Sequence, residues 1–287
     1  MAKTAKTEWI YTLSELKNRA PRLFGVPTGT KLDQMFFRVQ YDEKEDRFVR
    51  KPLGGIPAYG VMQVTGIADT GKSLLAEQFA LTQTSLGYHV VFVTAESPAP
   101  FLYPVFKERS RLLGIDFSKV EENMVLIDVS QSFELRENTR LFCDTLQYAI
   151  EKIGATVTVI DSITSFYEHR EMMARTIVRE IYNFLKRCRQ TALLISQKRT
   201  GQGGETAEAA GGLAVPHILD GTIVMHKRLI ERPSEARLFQ KEIGSVLRTI
   251  RIDGCRLAPH DDRKWVFEID DRGLIEIKAP LGEYLKW

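Results

Sequence analysis

The sequence predicts an α/β fold with a mostly parallel central sheet flanked by helices, and three observations predict it. From Gly60 onward, short apolar runs alternate with longer amphipathic segments. The runs HVVFV, TVTVI and TALLI are continuously apolar or β-branched rather than alternating, as strands must be when helices cover both faces. Gly66 to Ser73 reads GIADTGKS, a full GxxxxGK[ST] pattern set between the strand-like VMQVT and the helix-like LLAEQFAL.

The elements follow in order. Residues 1–26 read as an extension packed on the core, with a short helical pattern around LSELKNRAPRLF, and 27–278 as one domain. In PTGTKLDQMFF, Leu32, Met35, Phe36 and Phe37 suit an apolar helical face. The charged stretch 41–53, closing on Pro52, is expected to be an inserted loop or hairpin. Strands are then expected at GVMQVTG, HVVFVTAES, MVLIDVS, TVTVIDS, TALLISQ and GTIVMHK, with helices between the first five. The Gly- and Ala-rich loop 198–212 has no periodicity and is expected to be mobile. RTIRIDGC and KWVFEIDDRGLIEI read as further strands, the second folded at Asp271, Arg272 and Gly273 into a C-terminal hairpin extension, with 279–287 as a tail.

Composition excludes several classes. An apolar content of 44% supports a packed core and rules out disorder as the main state. A net charge of +3 is too small to announce a nucleic-acid partner. Cys143, Cys188 and Cys255 form no CxxC pair, and the five histidines lack ligand spacing, so neither a disulfide framework nor a structural metal is expected. No segment is apolar enough for a signal peptide or a membrane span, and a cytoplasmic protein is expected.

The candidate chemistry gathers around the glycine-rich loop. Glycines let Gly66, Ile67, Ala68, Asp69, Thr70 and Gly71 curl so that backbone N–H groups face one centre, while the helix carrying Lys72, Ser73 and Leu74 points its positive end there. Such a cradle fits ATP, with the Lys72 ammonium at the β- and γ-phosphates and the Ser73 hydroxyl on Mg2+. Asp161 ends an uncharged strand and is the candidate to hold the magnesium from the far side. Glu96 closes HVVFVTAES as the candidate base or polariser of a water, and Gln197 closes TALLISQ as a candidate γ-phosphate sensor.

The order GGIPAYGVMQVTGIADTGKS, VFVTAES, VIDSITSF and LLISQK resembles the RecA-superfamily P-loop ATPases, and most of all a single KaiC-type domain. PTGTKLDQMF, HILDGTIVM, RTIRIDGCRLAPHD and FEIDDRGLIEI are similar to that family's framing segments, so the likeness spans about Pro27 to Ile277. It implies a RecA-like core, hydrolysis of ATP to ADP and phosphate, sites at subunit interfaces and a homohexameric ring acting as a nucleotide-driven regulator. In such domains a basic pair near the last strands reaches the neighbour's γ-phosphate; this chain keeps Arg256, while the companion lysine position reads Gly254. TAES offers only Glu96 where the family often has paired glutamates, and the 41–53 insertion is longer than usual, placed to meet a neighbouring subunit or another protein partner. Two alternatives share the core. A recombinase-like DNA-binding ATPase would use Lys198 and Arg199, against which Glu205, Glu208 and the lack of an aromatic count. An autokinase would pass the γ-phosphate to its own Ser or Thr.

Overall fold

The computed structural model describes residues 6–198 and 215–285. Residues 6–24, expected to pack on the core, are instead exposed almost throughout, with Trp9, Ile10 and Leu13 facing solvent. The helix-like stretch there yields only Leu13–Leu16, closed at its start by reciprocal Thr12 and Glu15 hydrogen bonds. Four residues make barely one turn, too short to persist by propensity, and Pro21 bars its continuation.

The chain enters the fold through β1 (Gly25–Val26) and a short helix, Leu32–Met35, that buries Leu32 and Met35. The charged insertion is a hairpin, β2 (Phe37–Asp42) against β3 (Arg47–Pro52), beginning four residues before the expected boundary. Its register pairs Phe37 with Pro52 and Asp42 with Arg47, and Tyr41 meets Phe48 edge to face at 5.3 Å between ring centres. Then β4 (Ile56–Pro57) returns to pair with β1.

Among the described residues the central sheet has nine strands: β5 (Val61–Gly66), β6 (Val90–Thr94), β7 (Met124–Asp128), β8 (Val157–Asp161), β9 (Thr191–Gln197), β10 (Gly221–Leu229), β11 (Val246–Cys255), β12 (Trp265–Ile269) and β13 (Ile275–Pro280). Their order is β13-β12-β11-β10-β5-β9-β8-β6-β7. The six from β10 to β7 are parallel, while β11, β12 and β13 join antiparallel. The expected C-terminal extension is therefore an integral edge of the main sheet, and β13 runs to Pro280, into the residues expected as a tail.

Burial explains why the parallel strands read as unbroken apolar runs. Alternate residues of one strand enter opposite cores: Val90 and Phe92 of β6 pack on one side, Val91 and Val93 on the other. Helices Lys72–Ser85 and Ala99–Leu113 cover the first face through Leu75, Phe79, Leu102 and Phe106. Helices Thr139–Ile153 and Ala174–Arg187 cover the second. The latter buries Ala174, Ile177, Val178, Ile181, Phe184 and Leu185, the spacing of one helical face. Each of the larger ones, Ile177, Val178, Ile181, Phe184 and Leu185, contributes about 1.5–3 kcal/mol on leaving water. The parallel strands consequently present all their carboxyl ends at one rim, where ligand sites of open α/β sheets form.

Candidate functional site

The Gly66–Ser73 loop leaves the rim at β5 and is shaped by close approach. A Cβ at Gly66 would lie 2.3 Å from the Met225 carbonyl oxygen, so only glycine fits beside β10. Gly71, with φ 95°, turns the chain into the helix, and Asp69 also takes a left-handed φ, 61°. No side chain caps this helix and no acid occupies its first turn, which leaves its N–H groups open to an anion. Within the loop, the Thr70 hydroxyl and the Lys72 ammonium both donate to the Ile67 carbonyl, at 3.0 and 2.8 Å.

The sheet order brings the other candidates to this loop. β9 lies beside β5, β8 beside β9 and β6 beside β8, so Gln197, Asp161 and Glu96 follow one another along the rim. Gln197 Nε2 donates to Glu96 Oε1 at 2.5 Å, across the end of the intervening β8. The Thr164 hydroxyl oxygen, unremarked in the sequence, accepts from the Gln197 backbone N–H at 2.9 Å and fixes where β9 ends.

Asp161 is buried and its Oδ1 has no hydrogen-bond partner. Burial pushes its carboxyl up to about 6, the Ser73 hydroxyl draws it down, Glu96 raises it further and Lys72 opposes both upward pushes. Burial likewise draws the Lys72 ammonium below the usual lysine range, against the pull of Asp161 and Glu96. An unpartnered buried carboxylate oxygen beside a serine hydroxyl is a pair of hard oxygen donors, which fits Mg2+. Because folding raises this pKa, the ionised carboxylate opposes folding above its folded value, and the penalty vanishes once pH falls below the ordinary aspartate value. A shift of this size corresponds to about 3 kcal/mol, of which a buried amide would forfeit a part. Asp161→Asn is therefore expected to stabilise the ligand-free chain at neutral pH by about 1–2 kcal/mol while removing turnover; an unchanged or lowered melting temperature contradicts it.

Lys227 is a second residue the sequence did not single out. Its ammonium binds Asp69 at 2.7 Å, and this contact holds the Asp69 carboxyl below the usual range. The two lie 158 positions apart, and only the pairing of β10 with β5 joins them.

Arg256 lies elsewhere. Gly221 pairs with both Met62 and Cys255, so Arg256 stands beside the start of β5, not its end. Four residues of strand put it roughly 13 Å along the sheet from the loop, with its guanidinium on the His217 carbonyl. The loop expected to be mobile falls, apart from Lys198, outside the described residues, as do Arg199, Glu205 and Glu208. No helix among the described residues is long and apolar enough to cross a membrane.

Comparisons with known proteins agree with this architecture. A family model described as "ATPase: KaiC" matches residues 26–282. A UPF0273 protein of Pyrococcus furiosus is 29% identical over 238 residues, covering 77% of this chain and 87% of its own length. A UPF0273 protein of Thermotoga maritima is 26% identical over 246 residues, covering 80% and 92%. The crystal structure of a KaiC-like protein from Pyrococcus horikoshii OT3 superposes with a TM-score of 0.61 at 24% identity, over 79% of this chain and 92% of that one, a likeness of fold. With the family match running over nearly its whole described length, the chain belongs to the KaiC family of ATPases.

Proposed function

We propose that this chain is a magnesium-dependent ATPase, converting ATP and water to ADP and phosphate, whose sites are completed across the subunit boundaries of a homohexameric ring. Its output is a nucleotide-dependent conformation, a regulator's output. The observation that carries the reading is the meeting of Lys72, Asp161, Glu96 and Gln197 at one rim beside an uncapped helix start. The open N–H groups and Lys72 bind the phosphates, which replace the Ile67 carbonyl as the partner of the ammonium. Ser73 and Asp161 would hold the magnesium, which neutralises charge on the β- and γ-phosphate oxygens when bound. Glu96, oriented through Oε1 by Gln197, receives the proton of the attacking water. The water oxygen bonds to the γ-phosphorus as the bond to the bridging oxygen breaks, and ADP leaves with the electron pair.

The shared site is supported by distance. Arg256 is roughly 13 Å from its own loop, so a guanidinium that compensates transition-state charge must act on an adjoining copy. Arg256→Ala should leave nucleotide binding to one subunit intact and cut turnover by about 10²-fold or more. Mixing Arg256→Ala with Lys72→Ala subunits should restore part of the activity, since one kind of mixed interface joins an intact loop to an intact arginine. Mixtures that native mass spectrometry finds to contain both subunits, yet show no recovery, would falsify the shared site. Release of phosphate from MgATP with no gain in the chain's intact mass separates hydrolysis from self-phosphorylation.

A further inference from the structure

We propose that Arg50, carried on the β2–β3 hairpin, acts beside Arg256 as a second guanidinium for the γ-phosphate of ATP bound by an adjoining copy of this chain. The inference rests on the shared-site reading above.

The two arginines line one surface groove of about 680 Å³, together with His260, Asp261, Asp262 and Arg263. Its charges divide clearly. Arg263 is closed by Asp261, with contacts of 2.6 to 3.0 Å, so that pair cancels. Arg50 and Arg256 form no ion pair among the described residues: Arg50 stacks on the Phe37 ring at 4.6 Å, and Arg256 donates to a carbonyl. Against these two guanidinium groups the groove sets, among the described residues, Asp262, and the acidic tip of the hairpin, Asp42 to Asp46, lies about 10 Å further along β3. An anion with several oxygens suits this arrangement, because arginine forks onto phosphate oxygens two at a time.

The hairpin is held in place by main-chain bonds, not only by its side chains. Phe36 and His260 form an isolated bridge, the Phe37 N–H donates to the Pro259 carbonyl at 3.0 Å, and the Asp261 N–H donates to the Met35 carbonyl at 2.8 Å. Arg50 sits two residues from the hairpin's base, where Pro52 pairs with Phe37. Its position relative to Arg256 is therefore set by the same segment, 255–263, that forms the groove floor.

Gly254 supplies the complementary observation. It precedes Arg256 by two residues, near the end of β11, and carries no side chain. Neither a left-handed φ nor close packing requires glycine: a Cβ would meet no atom within 4 Å. The segment leaving β11 thus brings Arg256 to the groove, and the hairpin brings Arg50 to it from outside the sheet.

The test uses the full chain. Arg50→Ala is expected to lower kcat for MgATP about 10-fold or more, with KM within about twofold and the assembly unchanged by native mass spectrometry. Arg50→Lys should recover part of the loss, and mixtures of Arg50→Ala with Lys72→Ala subunits should regain turnover. Wild-type kcat in Arg50→Ala, or a loss of activity that follows loss of assembly in both Arg50 variants, overturns the proposal. Recovery in Arg256→Ala mixtures but not in Arg50→Ala mixtures removes Arg50 alone; recovery in neither removes the shared site and Arg50 with it.

Discussion

Lys72→Ala is expected to abolish nucleotide-dependent behaviour, lowering turnover by about 10³-fold, while the fold is retained. The ammonium lies at the mouth of the loop, where it donates to the Ile67 carbonyl at 2.8 Å. That contact is replaceable by water, because Ile67 is only half-buried. Burial already disfavours the charged form of Lys72, so deleting it removes an unfavourable burden from the folded state. Loss of ATP binding by calorimetry with a melting temperature at or above that of the parent chain is the expected pair of results. Tight binding and normal turnover in the variant would remove the loop from the site.

The parallel sheet was legible because burial on both faces leaves a mark in composition: β6, β8 and most of β9 hold no charged residue before their carboxyl ends. The same rule located Glu96, Asp161 and Gln197, since polar residues terminating such runs lie at one rim. Sheet order was not legible. Nothing local says that β5 inserts between β9 and β10, and that insertion makes Lys227 a neighbour of Asp69 and sets Arg256 at the far end of the sheet. Propensity also misled at the start, where LSELKNRAPRLF holds too few apolar residues before Pro21 to build a helix that packs, and Leu13 faces solvent. In the hairpin, charge pointed to a solvated excursion correctly, but Phe37 looked helical because Leu32, Met35 and Phe36 just before it keep helical spacing.

The rim also has an electrostatic logic. Asp161 and Glu96 act on Lys72, Glu96 and Lys72 act on Asp161, and the buried carboxylate and ammonium each resist ionisation through loss of water. A site so balanced gains more from a polyanion with a divalent cation than from either alone, because the two bring opposite charges to groups already desolvated. Magnesium-free nucleotide is therefore expected to bind less tightly than the magnesium complex.

Glu96→Gln separates binding from chemistry. Glu96 lies at the exposed end of the cluster, outside the Gly66–Ser73 loop, so nucleotide affinity should stay within a few fold of the parent chain. The amide keeps the shape of the carboxylate, and its oxygen can still accept from Gln197 Nε2, so the rim between β6 and β9 should hold its geometry. What it cannot do is take the proton of the attacking water. Turnover should fall by roughly 10²-fold or more, the scale of a general base. Gln197→Ala offers the complementary result: Glu96 stays in place but loses the hydrogen bond that orients it, and the expected loss is smaller than that of Glu96→Gln. Single-turnover phosphate release with preloaded MgATP reads both variants at the chemical step. If Glu96→Gln hydrolyses at the parent rate while Gln197→Ala does not, the base is another carboxylate and Glu96 serves only as the anchor for Gln197.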